Sequence, residues 1–458
     1  MEAVTVQNQT TKQKLAIVIA LAVPAMIENI LQTVVGFVDT LFVAKLGLNE
    51  VTAVGVANAI LAVYIAIFMA IGVGASSLIA RSIGAGDVSK AKSFARQSTI
   101  LSVMLGLLFG LISLFFSEPL LRLMGAESKV LTDAVAYFRI VAIPSIFITL
   151  MFTFGSILRA TGDTKTPLKV SCWINLIHIG LDYVLIFGVF GLEGLGVVGA
   201  AWATVIVRII GTFLLFFYIK RSKVSFSLLR TSSKEDTLSI LKLSTPTAIE
   251  RLIMRFGQVL YLGLILRIGT DVYASHLIAG NIETFSYMPG YGLAIAATTL
   301  VGQSMGRRQY KDAYQYGMIT TVVAIIFMSF IGLLLFFLSP WFATWFTTDK
   351  NAIDMVVTAL RIDAFAQPGL AVGLVLAGAL QGAGDTKGPM YSTAIGMWLI
   401  RVMGVFILGI HFEMGIAGVW LSIAMDLYVR AIFQFFRYKK VVLDYSKNGC
   451  SLKVDKLE

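Results

Sequence analysis

Long apolar segments recur along the whole chain, and they restrict the folds open to it more than any other feature. Each is at least as long as the roughly 20 helical residues needed to cross a ~30 Å hydrocarbon core. Hydrophobic residues make up 57% of the 458 positions and charged residues only 14%, whereas soluble domains carry about 25% charged residues. The sequence therefore predicts an all-α integral membrane protein with twelve transmembrane helices. They cover approximately residues 14–44, 50–80, 93–117, 128–158, 167–190, 196–219, 237–266, 272–304, 313–340, 352–381, 388–411 and 415–436.

An internal repeat divides these helices into two sets. The segment ILRATGDTKTPLKV, which begins at Ile157, returns as ALQGAGDTKGPMYS, which begins at Ala379. The same offset of 222 positions pairs further residues, including Pro24 with Pro246, Glu28 with Glu250 and Gly84 with Gly306. A nearly constant offset over so long a stretch predicts a duplicated six-helix unit, in which both copies enter the membrane from the same side.

Each GDTK segment has the composition of a tight turn between two helices. Glycine can end the first helix, aspartate can cap the second, and proline fits the first turn of that second helix. The residues concerned are Gly162, Asp163 and Pro167 in the first copy, and Gly384, Asp385 and Pro389 in the second. A phosphate-binding loop is the alternative, but the spacing G-x-x-x-x-G-K-[ST] is missing.

Basic residues collect in the loops that follow even-numbered helices, which predicts that both termini lie in the cytoplasm and that the protein spans the cell membrane many times. The loop after the second helix, for example, carries Arg81, Lys90, Lys92 and Arg96. The predicted organisation is a polar N-terminus (1–13), an N-lobe (14–220), a cytoplasmic linker (221–236), a C-lobe (237–440) and a cytoplasmic tail (441–458). The net charge of +11 forms no single stripe with interleaved aromatics, so we expect no nucleic acid partner.

Parallel repeats without a soluble domain predict an alternating-access carrier that holds its substrate between the lobes and uses an ion gradient. An embedded enzyme would need paired metal ligands or a nucleophile beside a base. The three histidines, His178, His276 and His411, lie on different predicted helices. We therefore expect no enzyme activity, no catalytic metal and no cofactor beyond the gradient itself.

Two acids stand inside apolar helices of the first half only. An ionised side chain there costs about 2.5–3.5 kcal/mol, so it needs a partner, a proton or a function. Asp39 lies in the first helix, and Asp182 lies in the fifth, one turn after His178. They could be hydrogen-bonded structural residues, or they could exchange a proton or cation with His178 in the same network. In the second half, Glu283, Asp363 and Asp426 have candidate partners in Arg361, Arg401 and Arg430.

Several motifs in their expected helices give the chain a family resemblance over about residues 14–440. They are VDTLFVAKLG, IGVGASSLIARSIGAGD, LRATGDTKTP, LDYVLIFG and LQGAGDTKGP. With them the chain resembles the multidrug and toxic compound extrusion (MATE) transporters, and within them the DNA-damage-inducible protein F-like branch. The resemblance implies two six-helix lobes around a cavity, and export of lipophilic organic cations against protons or sodium ions. It assigns ion coupling to Asp39 and Asp182.

Three positions depart from the family patterns. His178 replaces an asparagine common near the fifth-helix acid, and Met254 and Leu370 stand where sodium-coupled relatives carry acids. The C-lobe sodium site is therefore not expected, and protons acting at Asp39 are favoured. Sodium at an N-lobe site that includes Thr33 stays open as an alternative.

The resulting hypothesis is a monomeric, proton-coupled multidrug antiporter that contacts membrane lipids. We expect small organic cations to contact Asp39, Met26, Thr33, Tyr137, Met254 and Tyr261. A lipid-linked saccharide flippase is a further alternative, although its cavity should hold several basic groups.

Overall fold

The computed structural model describes residues 10–188, 193–227 and 233–447. Within these ranges the chain forms thirteen α-helices, and the last part of the twelfth segment continues as π-helical turns. The helices are α1 (Thr11–Ala44), α2 (Leu48–Gly84), α3 (Val88–Leu123), α4 (Ser128–Ala142), α5 (Ser145–Ala160), α6 (Lys165–Phe187), α7 (Val197–Lys220), α8 (Lys234–Ile268), α9 (Thr270–Gly306), α10 (Tyr310–Thr344), α11 (Lys350–Gly382), α12 (Lys387–Ala394, continued by Ile395–Val402 and Val405–His411) and α13 (Gly415–Lys447).

The all-α membrane fold predicted from the sequence is confirmed. Among the described residues, nine helical segments are long and apolar enough to cross a membrane, and the bent pair α4–α5 provides a tenth. The remaining two, α8 and α9, match the seventh and eighth predicted spans in position but are less apolar than the nine. Residues 189–190, at the end of the fifth predicted span, lie outside the described residues.

The fourth predicted span is wrong in one respect, because it is not one continuous helix. The chain bends by 49° between α4 and α5, at Ile143 and Pro144. Proline has no backbone N–H and its ring collides with the preceding turn, so the helical hydrogen bonds are interrupted there. Helix α3 approaches this bend closely through Gly110, where a Cβ atom would overlap the Ile143 carbonyl oxygen.

The predicted turns at the two GDTK segments are confirmed. Gly162 and Gly384 have φ angles of +92° and +81°, a left-handed conformation that favours glycine. The Asp163 side chain accepts a hydrogen bond from the Thr166 backbone N–H at 3.0 Å. Asp385 makes the same contact with the Gly388 N–H, also at 3.0 Å. The following helices therefore begin with a capped first turn in both repeats.

The described chain forms two compact units. The N-terminal unit comprises Ile27–Ile79 and Asp87–Leu252. The C-terminal unit comprises the described parts of Met1–Met26, Ala80–Gly86 and Ile253–Glu458. The boundaries of the predicted lobes, linker and tail stay predictions, since helices α1 and α8 each contribute residues to both units.

Aromatic packing forms the core of the N-terminal unit. Tyr64, Phe68, Phe109 and Phe138 meet edge to face, with ring centroids 4.5–6.2 Å apart. Such pairs contribute about 0.5–1.5 kcal/mol each beyond the area they bury. The Tyr64 hydroxyl accepts a hydrogen bond from Ser113 at 3.2 Å, so its polar end is satisfied. This core holds helices α2, α3 and α4 in fixed positions.

Small residues allow close helix packing in the C-terminal unit. Helices α9, α10 and α11 pack through alanines and glycines, and a Cβ atom on Gly378 would lie 3.0 Å from the Thr298 hydroxyl. The Thr298 hydroxyl donates to the Gly378 carbonyl at 2.8 Å. Small residues at helix contacts are typical of membrane proteins, because they let backbones approach one another. The start of α1 joins this unit through an ion pair of 2.5 Å between Lys14 and Asp312.

Candidate functional site

Asp39 lies in the second half of α1, between apolar turns. Its side chain is half-buried, and its Oδ1 atom is buried without a hydrogen-bond partner among the described residues. A buried carboxylate oxygen without a donor is costly, because it has lost the water that solvates it. Asp39 is therefore suited to bind a proton or cation.

The fully buried Asp182 lies on α6, one turn after His178. The His178 Nε2 and Asp182 Oδ2 atoms are 3.4 Å apart, but the geometry is not that of a hydrogen bond. In the described part of the chain, neither carboxylate oxygen of Asp182 has a hydrogen-bond partner. Thr204 of α7 approaches the same histidine, with 3.4 Å between Thr204 Oγ1 and His178 Nε2.

A buried arginine completes the site. Arg208 lies on α7 one turn after Thr204, which directs both side chains to the same face of the helix. Its Nη1 atom is buried and has no hydrogen-bond partner within the described ranges. Its charge acts on Asp39, Tyr137 and His178. No direct ion pair of 4 Å or less links Arg208 to Asp39 or Asp182 among the described residues.

Tyr137 of α4 joins the same group of side chains. It is buried, and its hydroxyl hydrogen-bonds to Asn58 of α2. Asp39, Asp182 and Arg208 all act on it electrostatically, and Asp39 and Asp182 also act on each other. We call this group the N-terminal cluster; its members are Asp39, Tyr137, His178, Asp182, Thr204 and Arg208.

The N-terminal cluster carries one excess negative charge when both acids are ionised and His178 is neutral. Its two carboxylates face a single guanidinium group. One proton or one monovalent cation would balance this excess negative charge. It could bind at the carboxylate oxygens that have no donor among the described residues. The cluster can therefore hold one positive charge at a time.

Four members of this cluster were predicted from the sequence, whereas Thr204 and Arg208 were not. Arg208 is 26 residues from Asp182 and far from Asp39, yet it stands inside the apolar run AWATVIVRIIGTF. An arginine in such a run is itself a functional signal, since it requires a partner inside the membrane.

The other residues predicted to contact the substrate make different contacts, and within the described ranges none is seen to contact the N-terminal cluster. Thr33, in the same unit, donates its hydroxyl to the Asn29 carbonyl at 3.0 Å. Met26, Met254 and Tyr261 belong to the C-terminal unit. Met254 Sδ lies 3.7 Å from Arg430 Nη1, and the Tyr261 ring lies under Arg401 at 5.7 Å. Leu370, at the other position where sodium-coupled relatives carry an acid, is partly buried and packs against the apolar core of that unit.

Glu28, which the repeat pairs with Glu250, lies in α1 outside the N-terminal cluster. Glu28 is buried and paired with Arg159, with 3.0 Å between Glu28 Oε1 and Arg159 Nη1. Arg159 belongs to the first GDTK segment, so this pair ties α1 to the end of α5. Its role is structural, because both charges are already satisfied.

Among the second-half acids, Asp426 has two of the predicted arginine partners. Arg401 Nε lies 2.8 Å from Asp426 Oδ2, and Arg430 Nε lies 2.5 Å from Asp426 Oδ1. Arg361 instead lies over the Phe336 ring at 5.3 Å. Asp363 accepts a hydrogen bond of 2.6 Å from Gln367.

A helical protein that spans the membrane many times, with buried ionisable groups left partly unsatisfied, belongs to the class of membrane carriers. Comparison with known proteins identifies its family. The sequence matches the MatE family over residues 24–184 and again over residues 246–407. The chain therefore belongs to the MatE family, and the double match agrees with the repeat seen in the sequence.

Relatives and solved structures agree with this family over nearly the whole chain. A protein of Thermotoga maritima named "Probable multidrug resistance protein NorM" is 32% identical over 425 residues, covering 90% of this chain and 89% of its own. "Uncharacterized transporter YisQ" of Bacillus subtilis is 29% identical and covers 91% and 92%. A structure described as the outward-facing conformation of a multidrug resistance MATE family transporter superimposes with a TM-score of 0.89 at 25% identity, covering 96% and 99%.

Proteins of this family are transporters, so the chain is an integral membrane transporter and not an enzyme. The predicted family and fold class are both confirmed. The predicted placement in the DNA-damage-inducible protein F-like branch stays a prediction, as do the cytoplasmic position of the termini and the monomeric state.

Proposed function

We propose that this protein exports monovalent, lipophilic organic cations from the cell by antiport against protons. The observation that carries the proposal is the N-terminal cluster, where the half-buried Asp39, the fully buried Asp182 and one arginine leave room for one positive charge. A proton and a cationic substrate would then compete for the same carboxylates. Mutual exclusion of two ligands at one site is sufficient to couple their movements.

The substrate class is supported by the relatives. The similar protein of Thermotoga maritima is named a probable multidrug resistance protein, and one similar structure is described as a multidrug resistance transporter. Buried apolar and aromatic residues around the cluster, such as Tyr137 and Tyr64, suit flat organic cations, since aromatic faces attract positive charge.

The driving force comes from the membrane potential and the proton gradient. We place both termini in the cytoplasm, following the distribution of basic residues. Each proton that enters under a 100 mV potential releases about 2.3 kcal/mol. Protonation of Asp39 from the outside removes the charge that holds the cation, so the cation is released there. Loss of that proton to the cytoplasm restores the site.

Sodium coupling at the same cluster is the second candidate. The oxygens of Asp182 and the Oδ1 atom of Asp39, which have no hydrogen-bond partners among the described residues, are the type of ligand that sodium prefers. Under this alternative, sodium rather than a proton would balance the excess negative charge. The two candidates make opposite predictions for the gradient that drives export.

Reconstituted vesicles test the proposal. A pH gradient without sodium should drive efflux of a fluorescent monovalent cation, and a sodium gradient at equal pH should not. Asp39→Asn should abolish the gradient-driven efflux, whereas Glu118→Gln, which removes one partner of an exposed ion pair with Arg122, should leave it unchanged. Efflux that follows only the sodium gradient would favour the second candidate, and normal pumping by Asp39→Asn would overturn both.

A further inference from the structure

A second group of buried charges lies wholly within the C-terminal unit, at the contact between α9, α11, α12 and α13. Asp426 is fully buried and binds both Arg401 and Arg430, with a further contact of 2.7 Å between Arg430 Nη2 and Asp426 Oδ2. This ion group is satisfied internally and leaves one excess positive charge. Glu283 of α9 lies close enough to Arg401 for their charges to interact.

A hydrogen-bond network brings Glu283 and Asp363 together. Gln367 of α11 donates to the Asp363 Oδ2 atom at 2.6 Å and to the Ser286 hydroxyl oxygen at 3.1 Å. Ser286 in turn donates its hydroxyl to the Glu283 carbonyl at 2.7 Å. Asp363 and Gln367 are one turn apart on α11, and Glu283 and Ser286 occupy one turn of α9. The network therefore links Asp363 to the backbone of α9 at Glu283, and the two acids interact electrostatically across this helix contact.

Two buried acceptor atoms in this network lack donors. Asp363 and Gln367 are at most 1% exposed, and within the described part of the chain neither Asp363 Oδ1 nor Gln367 Oε1 has a hydrogen-bond partner. Leaving a buried acceptor unsatisfied costs about 1–3 kcal/mol. The two acceptors belong to residues one turn apart on α11, and both lack a donor among the described residues, so they are suited to a bound cation.

The charges of the group lead to the same conclusion. Two guanidinium groups face three carboxylates, so one positive charge is missing when all of them are ionised. The other titratable groups that surround it are Tyr261, His276, Tyr287 and Tyr291, which are neutral in their ordinary forms. Arg255 of α8 acts on Tyr287, and its guanidinium donates to Gln258 Oε1 at 3.1 Å. One monovalent cation would both neutralise the group and satisfy the free acceptors.

We propose that Asp363, Gln367 and Glu283 form a second cation site, which binds one proton or one sodium ion independently of the N-terminal cluster. A proton would join one carboxyl group and donate to the other. A sodium ion would take the Asp363 Oδ1 and Gln367 Oε1 atoms as ligands. The site differs from the one used by sodium-coupled relatives, whose positions hold Met254 and Leu370 here.

Infrared difference spectroscopy on the purified full-length protein tests the proposal. The Asp39→Asn, Asp182→Asn double variant removes both acids of the N-terminal cluster. If the cation is a proton, a pH change should still produce the C=O stretching band of one protonated carboxyl group in this background. If the cation is sodium, the same protein should bind one equivalent of radioactive sodium. In either case, adding Asp363→Asn should remove the signal.

Two variants make the result decisive. Asp354→Asn changes an exposed acid on the same helix and should leave the signal at its full size. Glu283→Gln replaces Asp363→Asn if that variant does not elute as a single folded species in gel filtration, and it should reduce the signal by at least half. The proposal is overturned if the double variant shows neither a carboxyl band nor bound sodium, or if the signal survives both Asp363→Asn and Glu283→Gln.

Discussion

At the scale of single residues, the balance of buried charge decides what each ionisable group can do. Glu28 is paired with Arg159, and Asp426 is paired with two arginines, so these acids have structural roles. Asp39 and Asp182 keep carboxylate oxygens without donors among the described residues. The sequence alone placed Asp39 and Asp182 inside apolar helices, but only the partners seen in the structure separate structural acids from those able to exchange a cation.

Arg208 should set the charge of the substrates. Replacing it in Arg208→Gln changes the excess charge of the N-terminal cluster from one negative charge to two, so the variant should prefer a dication. A charge interaction of only about 1.4 kcal/mol changes relative affinity tenfold. Binding of methyl viologen, a dication, relative to tetraphenylphosphonium, a monocation, should therefore rise at least tenfold. Arg208→Lys, which keeps the charge, should retain the wild-type ratio; an unchanged ratio in Arg208→Gln would show that Arg208 does not set it.

Asp426 should be essential for stability rather than for ion exchange. Asp426→Asn removes the carboxylate that pairs directly with Arg401 and Arg430, and breaking a buried ion pair in this way costs about 3–5 kcal/mol. Thermal unfolding in detergent should occur at a clearly lower temperature. Asp444→Asn, on the exposed face of the same helix, should unfold like the wild type. Equal unfolding temperatures for the two variants would mean that the arginines find other partners.

At the scale of elements, the repeated GDTK turn combines local geometry with tertiary contacts. Gly384 has a φ of +81°, and the Arg81 guanidinium lies 2.7–2.8 Å from the place that its Cβ atom would occupy. Arg81 also donates a hydrogen bond to the Ala383 carbonyl at the end of α11. The turn thus binds the end of α2 as well as linking α11 to α12.

Gly384→Ala should destabilise the protein more than Gly86→Ala, because both glycines have a left-handed backbone conformation but only Gly384 lies against Arg81. Gly86 has a φ of +77°, and a Cβ atom there would meet nothing within 4 Å. Gly86→Ala should therefore cost only the left-handed strain of about 1–2 kcal/mol. Gly384→Ala should cost the same strain and also displace Arg81, which should lower the unfolding temperature further. Equal losses in a thermal unfolding assay would show that the Arg81 contact contributes little.

The bend between α4 and α5 shows why element boundaries were harder to predict than element positions. Pro144 was present in the sequence, but prolines also lie inside α1, α3 and α8 without ending those helices. Next to Pro144, α3 packs against the bend through Gly110, where a Cβ atom would lie 2.4 Å from the Ile143 carbonyl oxygen. A helix break depends on this packing, which local sequence does not reveal.

At the scale of the whole molecule, the fold was predictable from two features of the sequence. Helices that cross a membrane require long apolar segments, and the duplication leaves matching residues at a nearly constant offset. The twelve helical segments match the predicted spans in order and approximate position. The site was only partly predictable. Asp39, His178 and Asp182 are separated by up to 143 positions, and their common environment depends on how α1, α6 and α7 pack. Arg208 belongs to α7, and no residue of that helix was predicted to join the site.

The central claim is that the N-terminal cluster exchanges one proton for one monovalent organic cation. It is tested most directly by adding tetraphenylphosphonium to the purified protein in weakly buffered, sodium-free detergent and measuring proton release with a pH indicator. The account predicts release of about one proton per cation bound, since one excess charge is available, and no release from Asp39→Asn. Cation binding without proton release by the wild type, or undiminished release by Asp39→Asn, would contradict it.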